Sequence, residues 1–522
     1  MNDERGDGEA TVPRPDSHSP AFLPSTRILQ HASLSSAIVA CLFLFAACAP
    51  HSIAGTQIAW LVAMVLWVAR FIFARPRPRL WRTPVDYALL GFFILTFISA
   101  LCSYEPVVSI GKLRAASLFT IVYLVAENVS DRRTARRLAL VLVGSCMLNV
   151  VYTFGVYAVG RGLKIEGLKA ESPLYMAGVR EGDTVLDIEG QRVRGPDALA
   201  NALSSGDAAL MKGKAAGVRV YRLESYPIFE VERGRLLDGD DAAARLGITR
   251  WSRGRDERAQ GFYGHYVTYA EVLQLIASLA LGMFVALGRK RSGRGVLMAM
   301  VCAGLCGAML LTLTRAAWLG LLLSAFVIVL AGARRRTLLI VAVVALPLVV
   351  AGLLVLQQKR QVGFIDAKEG STAWRLMVYR ESLSLLVREP RHLLTGVGMD
   401  SLKRHYREWG LFDNGRQNIG HLHSTPLQLA VERGVPTLCA WLALLFIYGR
   451  MLWRLAREGM SNDAIERGLV LGALGGLAGF FASGMVHYNL GDSEVAEIFY
   501  FIMGLALVLE RRVRQTRAAS EN

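Results

Sequence analysis

The chain has 522 residues, 53% of them hydrophobic, and a formal charge of +17. A soluble protein of this length is rarely so apolar, so the composition points to a polytopic membrane protein. The basic residues cluster in short loops between apolar runs, a pattern that follows the positive-inside rule and calls for no nucleic-acid partner.

Residues 1–32 open on a polar, Pro-containing stretch without an apolar h-region, so they are expected to form a disordered cytoplasmic tail rather than a signal peptide. A membrane span needs about 20 mostly apolar residues. Twelve candidates follow, at 33–50, 53–74, 85–103, 109–127, 136–158, 265–287, 294–313, 317–333, 336–356, 425–449, 465–487 and 493–511. The first five fill 33–158, the next four 265–356 and the last three 425–511, and 512–522 is a second tail. Basic stretches at 70–82, 132–137, 289–294, 334–336, 450–457 and 511–517 fall on one side of a twelve-span count. Both termini are then cytoplasmic, and the long segments 159–264 and 357–424 face outward, to the periplasm in a two-membrane bacterium. The seven cysteines all lie in or at the ends of apolar runs and read as small packing residues.

The first outward segment holds something separate. Residues 162–194 read "GLKIEGLKAESPLYMAGVREGDTVLDIEGQRVR", a strand, a Ser-Pro helix cap, a Gly-Asp turn and an alternating strand. "PDALANALS" suits a second helix and 217–232 suits closing strands. This resembles a bacterial PDZ domain over about 162–232. The resemblance implies an extended peptide or protein ligand added at a sheet edge, with a carboxylate-binding loop near Gly160–Leu163. The alternative is a spacer that shapes or covers the outer face.

Four further stretches carry candidate chemistry. Arg258 precedes the sixth span. Arg315 lies in an outward turn between apolar helices, against the positive-inside bias. Arg375 and Arg380 lie on an amphipathic stretch opened by Ser371-Thr372 and followed by Gly396-Val397-Gly398. Last, "GHLHSTPLQLAVERG" (420–434) puts His421 and His423 at a polar–apolar boundary. No Asp-x-Asp in the outward segments looks like a nucleotide-sugar metal site; Asp240-Asp241 lie in a Gly/Ala-rich stretch and read as solvated loop.

Together these stretches resemble the O-antigen ligase family, which shares its core with the O-antigen polymerases. The matching elements are Thr314-Arg315-Ala316-Ala317-Trp318, Arg375 followed by Gly-x-Gly, the run from His423 to Gly434, and Arg258-Ala259-Gln260-Gly261-Phe262. Ser424 in place of the commoner Asn, Pro426 and the PDZ-like insert depart from the family pattern. The resemblance implies an all-α bundle of about twelve transmembrane helices, a GT-C-like glycosyltransferase, in the inner membrane. It implies transfer of a glycan from undecaprenyl pyrophosphate to a hydroxyl of lipid A-core, with inversion and with no cofactor or metal. His423 would be the base. Arg315, Arg375 and Arg258 would bind pyrophosphate, because guanidinium stays charged and gives bidentate contacts. His421 would orient His423 or bind acceptor phosphate, Arg380 would support the site, and Glu432 would pair with a buried arginine. A polymerase of the same superfamily and a membrane-anchored PDZ-type binding protein are the competing readings. A transporter fits less well, because the charged residues lie at the outer boundary and not at mid-membrane.

Overall fold

The computed structural model describes residues 25–73, 80–204, 215–222, 225–332, 370–417, 420–457 and 463–521. Six helices come first: α1 (Ser25–Cys48), α2 (Ile53–Phe73), α3 (Asp86–Leu101), α4 (Pro106–Ala116), α5 (Thr120–Asn128) and α6 (Arg132–Val159). Asp131 begins α6 by accepting the Thr134 N–H at 2.8 Å.

An insert separates α6 from the rest of the bundle. Its elements are β1 (Leu163–Leu168), α7 (Pro173–Met176), β2 (Thr184–Ile188), β3 (Gln191–Arg192), α8 (Pro196–Ser204), β4 (Ala215–Tyr221), β5 (Ile228–Glu232), α9 (Ala242–Arg245) and β6 (Ile248–Arg253). The strands form one antiparallel sheet in the order β5-β4-β2-β1-β6, with β3 beside β2. Ser172 caps α7 as its Ser-Pro sequence requires, and its Oγ donates to Leu246 O at 2.6 Å. The sequence places the end of this unit near residue 232, but β6 joins the sheet through β1, and Leu246 and Ile248 enter its core. The signal missed was a strand beyond a helical turn, in a Gly/Ala-rich stretch that reads as solvated loop.

The bundle resumes with α10 (Tyr266–Ala286), α11 (Gly293–Leu311) and α12 (Arg315–Gly332). Then come α13 (Gly370–Arg388), the short helices α14 (Pro390–Thr395), α15 (Ser401–His405) and α16 (Leu411–Asn414), and α17 (Thr425–Arg433). The last three are α18 (Val435–Arg457), α19 (Ala464–Gly484) and α20 (Ser493–Glu521). Among the described residues, eight helices or helix pairs are long and apolar enough to cross a membrane, and Leu34–Cys48 and Asp86–Leu101 are shorter apolar helices. The chain is therefore a polytopic membrane protein. The span expected at 336–356 lies outside the described residues.

Helices α10 and α19 form the centre. Their backbones meet where a Cβ on Gly282 would fall 2.3 Å from Gly472 N, and one on Gly468 2.3 Å from Met283 Cα. Small residues allow such approach where hydrophobicity alone gives helices no reason to associate. Gln274 Nε2 donates to Ser324 Oγ at 2.9 Å and ties α12 to the pair.

Two expected spans are interrupted. The stretch at 109–127 contains a 3-10 turn, Ser117–Phe119, between α4 and α5. The stretch at 425–449 breaks at Gly434 (φ 85), where a side chain would meet Leu394 O at 2.2 Å. Residues 425–433 carry Gln428, Glu432 and Arg433, groups too costly to face lipid, and they are buried against α3 and the loops instead.

Candidate active site

The site forms at the end of the bundle where α10 and α12 begin and α19 finishes. The 420–424 loop is stitched to the 485–489 turn. Thr425 N and Thr425 Oγ1 both donate to His487 O at 3.1 Å, and Thr425 Oγ1 bonds Asn489 Oδ1 at 2.9 Å. Leu422 N–H donates to Gln428 Oε1 at 2.7 Å, and Ser424 caps α17. The loop therefore holds its shape through backbone contacts, and His423 sits at φ 50, a region few side chains adopt.

Three imidazoles meet there. The ring centroids of His421 and His423 are 4.1 Å apart, those of His421 and His487 5.6 Å, and those of His423 and His487 6.4 Å. Trp374 stands edge-on to His423 at 5.0 Å, and Tyr379 Oη donates to His423 O at 2.9 Å. The His423 N–H donates to His421 Nδ1 at 3.2 Å. That leaves Nε2 to carry the proton of neutral His421, so this ring is a donor rather than a base.

Burial pushes His423 down to about 4, with the charges of His487 and Arg375 acting the same way. Burial and its two histidine neighbours push His421 down to about 3. Both are neutral at pH 7. His487 is the opposite case. Burial would lower it, but the Glu271 carboxylate, 3.1 Å from its Nδ1, outweighs that and holds it above its ordinary value. Burial pushes the Asp492 carboxyl up to about 6 against the pull of His487, and Asp492 accepts from Thr268 Oγ1 at 2.9 Å. Glu271, His487 and Asp492 each offer a ligand atom within 4.8 Å of the others. The set could hold a divalent cation only once His487 gave up the proton that Glu271 stabilises.

The arginines expected from sequence reach this end by separate routes. Arg375 lies close enough to lower both His423 and His487, and its Nε is buried without a hydrogen-bond partner. Arg258 is 8% exposed, with Cζ 4.5 Å from the Tyr266 ring centroid. The next residue, Ala259, donates its N–H to Leu311 O at 3.0 Å, which pins the segment to the turn before Arg315. Arg315 opens α12 five residues above Gly320, which packs on Gly479 and Gln274. At about 1.5 Å of rise per residue, Arg315 lies about 7.5 Å outward of that contact, near the level of Tyr269 and the end of α19 at Gly484.

Two expectations change. Arg380 is exposed and lies off the face of α13 that carries Arg375, Val378 and Ser382, so it does not support the site. Glu432 is a framework residue. Its Oε1 accepts the Asp400 N–H at 2.9 Å and its carboxylate also feels the charge of the buried Arg433, while Gly398 N–H donates to Glu432 O at 2.8 Å. The Gly-x-Gly turn thus serves close backbone approach to α17.

The insert grips the Arg258 segment from both sides. Lys164 pairs with Asp256 at 2.6 Å and Arg161 with Glu257 at 3.3 Å. Tyr226 Oη donates to Glu257 Oε1 at 3.2 Å and accepts from Gln260 Nε2 at 2.6 Å. The expected loop at Gly160–Leu163 is filled, because a Cβ on Gly160 would fall 2.6 Å from Arg253 Cβ and one on Gly162 2.5 Å from Val185 O.

Sequence reasoning missed Glu271, His487 and Asp492. Glu271 is a carboxylate inside an apolar helix, which by itself marks a functional candidate. His487 and Asp492 share one short polar turn, "HYNLGD", between two apolar runs.

Fold and site define a class, a polytopic membrane protein with a histidine-centred polar site at one end of its bundle. Residues 299–442 match the family model described as O-antigen ligase, which supports a membrane glycosyl-transfer enzyme of the O-antigen ligase/polymerase superfamily. The matched stretch holds Arg315, Arg375, His421 and His423, whereas Arg258, Glu271, His487 and Asp492 lie outside it. No curated protein matches the chain.

Proposed function

We propose that this protein is an O-antigen ligase of the bacterial inner membrane. It transfers a glycan from undecaprenyl pyrophosphate to a hydroxyl of lipid A-core at the periplasmic face, with both termini cytoplasmic. The observation that carries this reading is a half-buried, neutral His423 within reach of the Arg375 charge, in a stretch that matches the ligase family.

The acceptor oxygen attacks the anomeric carbon and its proton passes to a ring nitrogen of His423. The bond from that carbon to the pyrophosphate oxygen breaks, and undecaprenyl pyrophosphate leaves with the electron pair. Arg375, Arg315 and Arg258 take up the developing charge, so this route requires no divalent cation. Attack opposite the leaving group inverts the anomeric carbon. Before substrate binds, Arg375 helps keep His423 weakly basic. A bound pyrophosphate offsets that charge and raises the basicity of the ring when it is needed. His487, charged through Glu271, adds positive potential at the same place.

The insert is read as PDZ-like, with β5 and β6 as the outer strands of its sheet. In a deletion strain complemented with His423→Ala, lipopolysaccharide gels should show no O-chains while lipid-linked polymer accumulates. A single repeat still attached to core would replace the ligase reading with a polymerase. Full O-chains would remove His423 as the base, and with it the preference for an enzyme over a membrane-anchored binding protein.

A further inference from the structure

A cavity of 560 Å³ opens on the other side of the histidine loop from Arg375. Its volume lies within the roughly 300–1,000 Å³ usual for ligand sites. His421 lines it and His423 does not, and no residue of α10, α12 or α13 reaches it among the described residues. Apart from Asp492, its charged wall comes from elements that the mechanism does not use. Lys112 and Arg114 are on α4 and Lys403 is on α15. The carboxylates in the wall are already engaged. Asp400 pairs with Lys112 at 2.7 Å and with Lys403 at 3.1 Å, Glu432 accepts the Asp400 N–H, and Asp492 accepts from Thr268. Arg114 donates only to the neutral amide of Gln57, at 3.0 Å. With Arg433 also in the wall, four basic groups (Lys112, Arg114, Lys403 and Arg433) face three carboxylates (Asp400, Glu432 and Asp492), a formal surplus of one positive charge concentrated at the lysines and Arg114. Below this rim the wall is apolar, with Trp60, Phe92 and Leu118.

We infer that this cavity is the acceptor subsite, and that it takes a phosphoryl-bearing glycolipid. The ammonium groups of Lys112 and Lys403 and the guanidinium of Arg114 hold the phosphoryl group. His421 donates through Nε2 to the acceptor and delivers the hydroxyl to the neighbouring His423 ring. The apolar wall between α2, α3 and α4 receives the lipid-proximal part. Two sources share this chemistry, a phosphate on lipid A-core and the pyrophosphate of a second lipid-linked repeat. The inference rests on the reading of His423 as the base of a glycan transfer.

The test uses the full chain in nanodiscs, with undecaprenyl-pyrophosphate glycan as donor. Three acceptors are compared: lipid A-core with its core phosphates, the same lipid with those phosphates removed, and a lipid-linked repeat. The wild type should prefer the phosphorylated core by kcat/KM. Lys112→Gln/Lys403→Gln should shrink that preference about tenfold or more, the range for losing charge-assisted hydrogen bonds. A wild type indifferent to phosphate, or a preference that survives in the double variant, overturns the inference. So does a variant that raises the KM for the donor alone. A shift confined to the lipid-linked repeat supports the subsite and assigns its phosphoryl group to that source. Direct binding separates this inference from the proposed function. If the wild type transfers nothing but binds phosphorylated core, and the double variant binds it about tenfold more weakly, the subsite stands and the ligase reading fails.

Discussion

Glu271→Gln tests whether the buried charge on His487 tunes the base. The carboxylate and the imidazole are 3.1 Å apart with side-chain exposures of 1% and 8%. At an effective dielectric near 20 that contact is worth about 5 kcal/mol before desolvation is subtracted. The neutral amide removes it, and desolvation then drives His487 to its uncharged form; Asp492 still favours the charge, while Arg375 opposes it. His423 lies 6.4 Å from His487 between ring centroids. A unit charge at that distance acts with about 1.3–2.6 kcal/mol for effective dielectrics near 40 and 20, equivalent to one to two pH units. Losing a positive neighbour makes protonation of His423 easier, so its value rises from about 4. The transfer step needs the unprotonated ring. The acid limb of kcat/KM for the donor should therefore lie near pH 4 in the wild type and one to two units higher in Glu271→Gln. The assay is glycan transfer in proteoliposomes from pH 3.5 to 8. A limb that stays in place or moves to lower pH would refute the coupling. A wild-type limb at 6.5 would remove the assignment of a buried base.

His423→Asn should lower kcat by about 10²–10⁴-fold, whereas His421→Asn should act mainly on the KM of the acceptor; steady-state kinetics of both variants checks this, and equal losses in kcat would merge the two roles. Gly398→Ala places a Cβ 1.8 Å from Ser103 Oγ at a φ of +98°, so a destabilisation of about 2–4 kcal/mol is expected; a thermal midpoint in detergent equal to that of the wild type would contradict the close approach. Glu257→Ala with Tyr226→Phe removes the insert's hold on one side of Arg258. Amide exchange across 255–261 should accelerate and the donor KM should rise about tenfold, and unchanged exchange would mean that the segment is positioned without the insert.

The sequence showed most where a residue type is expensive in its surroundings. Arginines against the positive-inside bias and histidines at an apolar boundary stand out for that reason, and Arg375, His421 and His423 do come together. It showed least where one side chain serves the backbone. Glu432 looked like an ion-pair partner because its charge lies inside an apolar run; beside the charge of Arg433, a backbone N–H also holds it, a partner that carries no sequence signal. The break at Gly434 was hidden because Leu427, Leu429 and Val431 continue the apolar character of α18 on one face only. The sixth strand of the insert escaped because pairing across 80 residues leaves no local periodicity. The lysine-lined cavity depends on α4 and α15 meeting, which no spacing along the chain encodes.

Backbone strain identifies the same place independently. The non-glycine residues with left-handed φ are Glu189, Leu313, Asp400, Phe412, Asp413, Asn414 and His423 among those described. Only Glu189 belongs to the insert; of the other six, Leu313, Asp400 and His423 are on connections between helices and Phe412, Asp413 and Asn414 lie within the short, kinked α16. Each costs of order 1–3 kcal/mol and persists only where surrounding contacts impose it. Three of them set reactive geometry directly. Leu313 turns α11 sharply enough that Arg315 falls in the first turn of α12. Asp400 is bent so that its carboxylate meets Lys112 and Lys403 while its N–H meets Glu432. His423 is bent so that its N–H bonds His421 Nδ1, the contact that makes one imidazole a donor and, under the proposed mechanism, leaves the other to act as base. Under the proposed mechanism that strain has a use, since it gives two adjacent histidines different protonation roles, one facing the lysine-lined cavity and the other near the charge of Arg375.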